Sequence, residues 1–136
     1  AGRLDKDSTG FVLLTNDGAL AHRILSPKAH VPKEYLVTVD KPIPRECVQA
    51  FAEGVTLADG TLCKPAVLTL LQDDCMARVE LRQGIYHQIK RMFGVFDLGV
   101  QALHRHRIGS LSLDTTLAPG ACRELLEDEL AMLEAR

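Results

Sequence analysis

The chain has no tryptophan and only two tyrosines among its 136 residues. Each tyrosine therefore needs a reason to be where it is. Cysteine is sparse as well: Cys47, Cys63, Cys75 and Cys122 stand far apart with no C-x-x-C pair, which argues against a zinc site. They read as thiols of a reducing compartment. No apolar run is long enough to cross a membrane as a helix, and no signal or transit pattern opens the chain. The cytoplasm is the expected compartment. There is no P-loop, no G-x-G-x-x-G, no H-E-x-x-H and no G-x-S-x-G, so the common nucleotide, zinc-protease and serine-hydrolase signatures are absent. No linker, repeat or low-complexity tract divides the chain, and residues 1–136 are expected to form one domain.

What is there is an ordinary globular balance, 46% hydrophobic and 25% charged. The net charge of −2 does not advertise a nucleic-acid binder. Its distribution says more. Between Arg82 and Arg107 stand Arg82, Lys90, Arg91, Arg105 and Arg107 against one acid, Asp97, with His87, His104 and His106 among them. Glu124, Glu127, Asp128, Glu129 and Glu134 follow toward the end. Such asymmetry suggests a basic working face and an acidic far side, although solvated charge alone would read the same way.

Hydrophobic spacing predicts strands at Phe11–Thr15, Lys33–Val39, Ala66–Leu71, Ala77–Leu81 and Val100–Ile108, with short strands in Val55–Cys63 around the hairpin signal Asp59-Gly60. It predicts helices at Ala19–Leu25, capped by Asn16-Asp17-Gly18 and stopped by Ser26-Pro27; at Arg45–Glu53, closed by Gly54; at Ile85–Phe96; and at Arg123–Leu133, after a turn at Pro119-Gly120. Many turn-linked strands with a few helices between them imply an α+β domain with a mixed, mostly antiparallel sheet.

Asp5 lies between Arg3 and Lys6, just before the small residues Ser8-Thr9-Gly10 and an apolar run. A carboxylate at the mouth of a buried strand can do chemistry; most such residues are solvated turn aspartates. Tyr35 sits inside a strand, where a ring usually packs in the core. Lys90 and Arg91 open a basic helix, and a nearby cation keeps a pocket carboxylate ionised. On an unbroken strand Arg105 and Arg107 fall on one face, a suitable phosphate clamp; His104 and His106 fall on the other, without a third ligand for a metal. The chain shows neither a second acid paired with Asp5 nor a serine or cysteine nucleophile with its base. The residues by themselves specify an anion-binding domain with one suspicious carboxylate.

Five ordered blocks carry a resemblance. Gly2-Arg3-Leu4-Asp5 with Asp7-Ser8-Thr9-Gly10-Phe11-Val12-Leu13-Leu14-Thr15-Asn16-Asp17-Gly18, then His22-Arg23 and Lys33-x-Tyr35-x-Val37, then Gly84-x-Tyr86-His87-Gln88-Ile89-Lys90-Arg91-Met92, then Leu103-x-Arg105-x-x-Ile108-Gly109, and last Pro119-Gly120-x-x-Arg123-x-Leu125, resemble the RsuA-type ribosomal RNA pseudouridine synthases across essentially the whole chain. The resemblance implies the fold of their catalytic domain and an isomerase that needs no metal or cofactor. It implies Asp5 as the catalytic aspartate, acting on C1′, on the uracil ring or on the 2′ proton. Tyr35 would stack on the base and accept the C5 proton, and Lys90 would pair with Asp5. Arg3 would fill the space of the flipped uridine, and Ile89 would pack near the base. His87, Arg91, Arg105 and Arg107 are the expected RNA contacts. The family also carries an upstream strand and a small S4-like RNA-binding domain that these residues do not include.

The expected partner is ribosomal RNA, most directly of the small subunit, handled by a monomer. Other readings are a synthase for the large-subunit RNA, a non-catalytic RNA-binding or ribosome-assembly module, and a hydrolase using Asp5 as general base.

Overall fold

Strand β2 (Lys33–Val39) alternates β-branched and aromatic residues as a pleated, half-buried strand should. It is flanked on both sides by antiparallel partners, β5 (Val100–Ile108) and β4 (Met76–Leu81). In this computed structural model, which describes residues 8–15, 17–25, 31–82, 87–113, 123–125, 129 and 132–133, β3 (Val67–Leu70) pairs with β4. Two-residue β1 (Thr9–Gly10) runs parallel to β5, and β6 (Leu111–Ser112) returns along β5. The strand order is β1-β5-β2-β4-β3. With three helices, α1 (Gly18–Leu25), α2 (Glu46–Glu53) and α3 (Gln88–Gly94), among the described residues, this is the expected α+β architecture with a mixed, mostly antiparallel sheet.

The helices start and stop for local reasons. Asp17 Oδ1 accepts the Leu20 N–H at 3.1 Å and so caps α1. Gly54 closes α2, its N–H reaching the Ala50 and Phe51 carbonyls. Cys47 and Phe51 of α2 and Ile89, Met92 and Phe93 of α3 bury one face of the sheet, against Val37, Val39, Ala77, Val79 and Leu103. The Phe51 and Phe93 rings are 5.1 Å apart between centroids. A second cluster joins Phe11, Leu13, Leu20, Ile24, Val31, Ile108, Leu111 and Leu133. At its rim Gly109 has a positive φ of 60°, and a Cβ there would stand 2.5 Å from the Met132 carbonyl oxygen.

Four expectations need correction. Phe11–Thr15 is not a strand: the ladder is Thr9–Gly10, and after the Phe11 N–H bonds the Arg105 carbonyl the run leaves the sheet. Phe11 and Leu13 are buried in the cluster that also holds Leu20 and Ile24. The helix expected at Ile85–Phe96 spans only Gln88–Gly94, because His87 is left-handed at φ 49° and cannot extend it backward. Val55–Cys63 makes a single bridge, Thr56 to Leu62, instead of two strands. Arg123–Leu125 are not helical, whereas Glu129, Met132 and Leu133 are. The Ser26-Pro27 stop, Ile85 and the Pro119-Gly120 turn lie outside the described residues.

Candidate active site

The registers of the sheet line up one row of residues across all the strands that matter. Gly10 of β1 stands opposite Arg105 of β5, Arg105 opposite Tyr35 of β2, and Tyr35 opposite Val79 of β4. Neighbouring strands are about 5 Å apart, so Tyr35 lies about 10 Å from Gly10. Gly10 has no alternative: at φ 116° a Cβ would meet the Arg105 carbonyl oxygen at 2.1 Å. The contact is locked twice more. The Phe11 N–H donates to the Arg105 carbonyl at 2.7 Å, and Arg105 Nε donates back to the Phe11 carbonyl at 2.7 Å. Arg105 is 1% exposed. The segment that follows Asp5 in the chain is therefore fixed beside the Tyr35 row. Asp5 and Arg3 lie outside the described residues.

Arg105 and Arg107 do not form a clamp on one face. The β2–β5 register slips between Glu34 and Tyr35, so Glu34 faces Arg107 while Tyr35 faces Arg105, and His106 is the extra residue of a β-bulge. Directly paired residues share a face, so the bulge puts Arg105 and Arg107 on opposite sides. Arg105 goes with Tyr35, Val37 and Leu103 toward the core. Arg107 goes to the other side, where it bonds Glu34 at 3.0 Å, Glu80 at 3.3 Å and the Gly109 carbonyl.

Helix α3 supplies the basic block. Ile89 is buried in the large cluster against which half-buried Tyr35 packs. Lys90 and Arg91 are half-buried in the first turn of the helix, and His87 precedes it. Arg91 holds Asp59 of the Asp59-Gly60 loop, Nη2 to Oδ2 at 2.7 Å. The Thr61 N–H and hydroxyl, and then Arg91, hold the exposed Asp59 carboxyl down at about 2. Arg91 thus ties α3 to that loop, a structural task the sequence did not reveal.

On the face away from the helices, Glu34 accepts from His106 Nε2 at 2.6 Å and from Arg107 at 3.0 Å. Burial pushes the Glu34 carboxyl up, but hydrogen bonds from Arg107 and His106 outweigh it and leave it below its ordinary value. A carboxyl depressed by folding stabilises above its unfolded pKa, and that contribution disappears as pH falls through the lower folded value. Glu34→Gln is expected to cost about 1–3 kcal/mol at pH 7. Urea melts from pH 7 downward should show the gap to wild type closing below about pH 4.3. A constant gap down to pH 2 would mean that the loss lies in packing.

Sequence reasoning passed over Lys33. It is 5% exposed and, two residues before Tyr35, shares that residue's face. Burial first, then the Arg105 charge, bring its amine down to about 8. The signal was present in the alternation that placed Tyr35, Val37 and Val39 together.

Residues 1–94 match the family model described as RNA pseudouridylate synthase. The chain belongs to that family. It is 48% identical over 132 residues to the "Ribosomal small subunit pseudouridine synthase A" of Escherichia coli K12, covering 96% of this chain and 57% of that protein. It is 46% identical over 136 residues to an uncharacterized RNA pseudouridine synthase of Bacillus subtilis, covering 98% of this chain and again 57% of the relative. A solved structure titled "Crystal structure of pseudouridylate synthase" superposes with a TM-score of 0.93 at 44% identity, over 97% of this chain and 57% of that one. The chain spans a little over half the length of the relatives it matches. Among the described residues, no helix is long and apolar enough to cross a membrane.

Proposed function

We propose that this chain is the catalytic part of an isomerase that converts a specific uridine of small-subunit ribosomal RNA to pseudouridine, acting as a monomer in the cytoplasm. The observation that carries the reading is the row Gly10–Arg105–Tyr35, which fixes the segment following Asp5 beside the tyrosine. Family membership and a near relative named for small-subunit RNA support the substrate class.

A stacked base cannot be turned over, so the uridine leaves the helix at a cost of a few kcal/mol. Arg3 enters the vacated space and offsets part of that cost. The base lies against the Tyr35 ring and Ile89. Asp5, kept ionised by Lys90, acts on C1′, on the ring or on the 2′ proton. The bond from N1 to C1′ breaks, the base turns, and a bond from C5 to C1′ forms. The C5 proton then passes to the Tyr35 oxygen as the phenol gives up its own proton, and N1, freed of the sugar, takes one up. Mass is unchanged throughout.

Mapping pseudouridines in ribosomal RNA from cells with and without the intact gene tests the reading. The expected result is the loss of one small-subunit site. A lost large-subunit site moves the substrate to that RNA, and no lost site with assembly defects favours a binding module. A mass change in treated RNA indicates a hydrolase.

A further inference from the structure

The face of β2 that carries Tyr35 also carries Lys33, and the cross-strand partners on either side of Lys33 are apolar, Leu81 and Ile108. Next along β5 on that face stands Arg105. The carboxylates nearest it, Glu34 on β2 itself and Glu80 on β4, face the other way and are taken by Arg107, with His106 on Glu34 as well. Among the described residues no ion pair involves Lys33. A lysine 5% exposed and set near a second cation is costly to the fold. Such a charge is kept where a reaction develops the opposite one.

The isomerisation does so by every route open to Asp5. Attack at C1′, or removal of the 2′ proton, expels the base with the electron pair of the N1–C1′ bond. Addition to the ring puts that charge on the uracil carbonyls instead. Negative charge therefore gathers on the base held by Tyr35. We propose that Lys33 is an electrostatic positioning residue, its fixed ammonium favouring the anionic base at the moment the glycosidic bond breaks. A preorganised buried cation acts most strongly on charge that forms only in the transition state. Its role is distinct from that implied for Lys90, which bears on Asp5 before the reaction starts.

This inference rests on the uridine-isomerase reading. The amine, lowered to about 8, is charged below that pH and neutral above it. Facing it on its own side are the Arg105 guanidinium and the Tyr35 phenol, with Glu34, Glu80 and Arg107 on the opposite side. The test compares wild type, Lys33→Met and Lys33→Arg in pseudouridine formation from pH 6 to 9.5, with RNA affinity and melting temperature read alongside. Wild-type kcat/KM, which reports the free enzyme, should fall above about pH 8. Lys33→Met should react about 100-fold more slowly, without that fall. It should bind RNA as tightly as wild type and melt a few degrees higher, since a buried charge has been removed. Lys33→Arg should recover part of the rate and carry the fall to higher pH. Lys33→Met turning over at the wild-type rate overturns the proposal. So does a wild-type kcat/KM flat to pH 9.5, whatever the variants do. A wild-type protein that forms no pseudouridine overturns the isomerase reading itself, and this inference with it.

Discussion

Asp5→Asn is expected to abolish pseudouridine formation, slowing single-turnover conversion of a ribosomal RNA substrate by at least about a thousandfold. The exchange is nearly isosteric, so the comparison isolates the charge. An amide cannot remove a proton, and it is a poor nucleophile toward C1′ or the ring. No other carboxylate on the described part of the Tyr35 face can take over: Glu34 and Glu80 point to the far side of the sheet, and Asp59 is engaged by Thr61 and Arg91. The melting temperature should stay within about 2 °C of wild type, because the β1–β5 contact that anchors the segment runs through Gly10, Phe11 and Arg105. RNA affinity should be nearly unchanged, since a single charge contributes little to a contact dominated by phosphates. An Asp5→Asn protein that isomerises at the normal rate would end the assignment of Asp5.

The parts of the fold that could be read from the sequence are those whose signal is local and repeated. Strands β2 and β5 have the bounds that alternation gives, because one of their faces is buried along most of its length. Helix α2 was legible from its apolar spacing and the glycine that ends it. The misreadings share a cause. Phe11–Thr15 and a strand bury side chains in the same pattern, and only a partner backbone distinguishes them. The left-handed turn at His87 leaves no mark in hydrophobicity, so the helix was expected to begin too early. The bulge at His106 is a property of two strands in register, which no single-strand pattern encodes; it separated Arg105 from Arg107. In the candidate site, Tyr35 and the α3 block are named only through their resemblance to a family. The tasks of Arg105 and Arg91 were not, because each acts on a partner remote in sequence, Phe11 and Asp59.

That separation makes Arg105 the position where stability and turnover should fail together. Its guanidinium is 1% exposed and its Nε holds the Phe11 carbonyl at 2.7 Å, while its backbone takes the Phe11 N–H and faces Gly10. Arg105→Met keeps the volume of the stem but leaves a buried carbonyl without its charged donor. The expected cost is about 2–4 kcal/mol, since hydrogen bonds to charged groups are worth about twice ordinary ones and an abandoned buried partner adds its own penalty. For a domain of this size that is a drop of roughly 10 °C in melting temperature. Turnover at 20 °C should fall further than the folded fraction explains, because a shift of about 1 Å in a segment that carries a reacting group can cost a hundredfold. Arg105→Lys should recover little, as an ammonium cannot reproduce the Nε–H direction at the end of a packed stem. Arg107→Met, on the other face, removes partly exposed contacts to Glu34 and Glu80 and should cost only about 1–2 kcal/mol. Equal stability losses at the two arginines would mean that they share one environment, and the bulge between them would then be wrong.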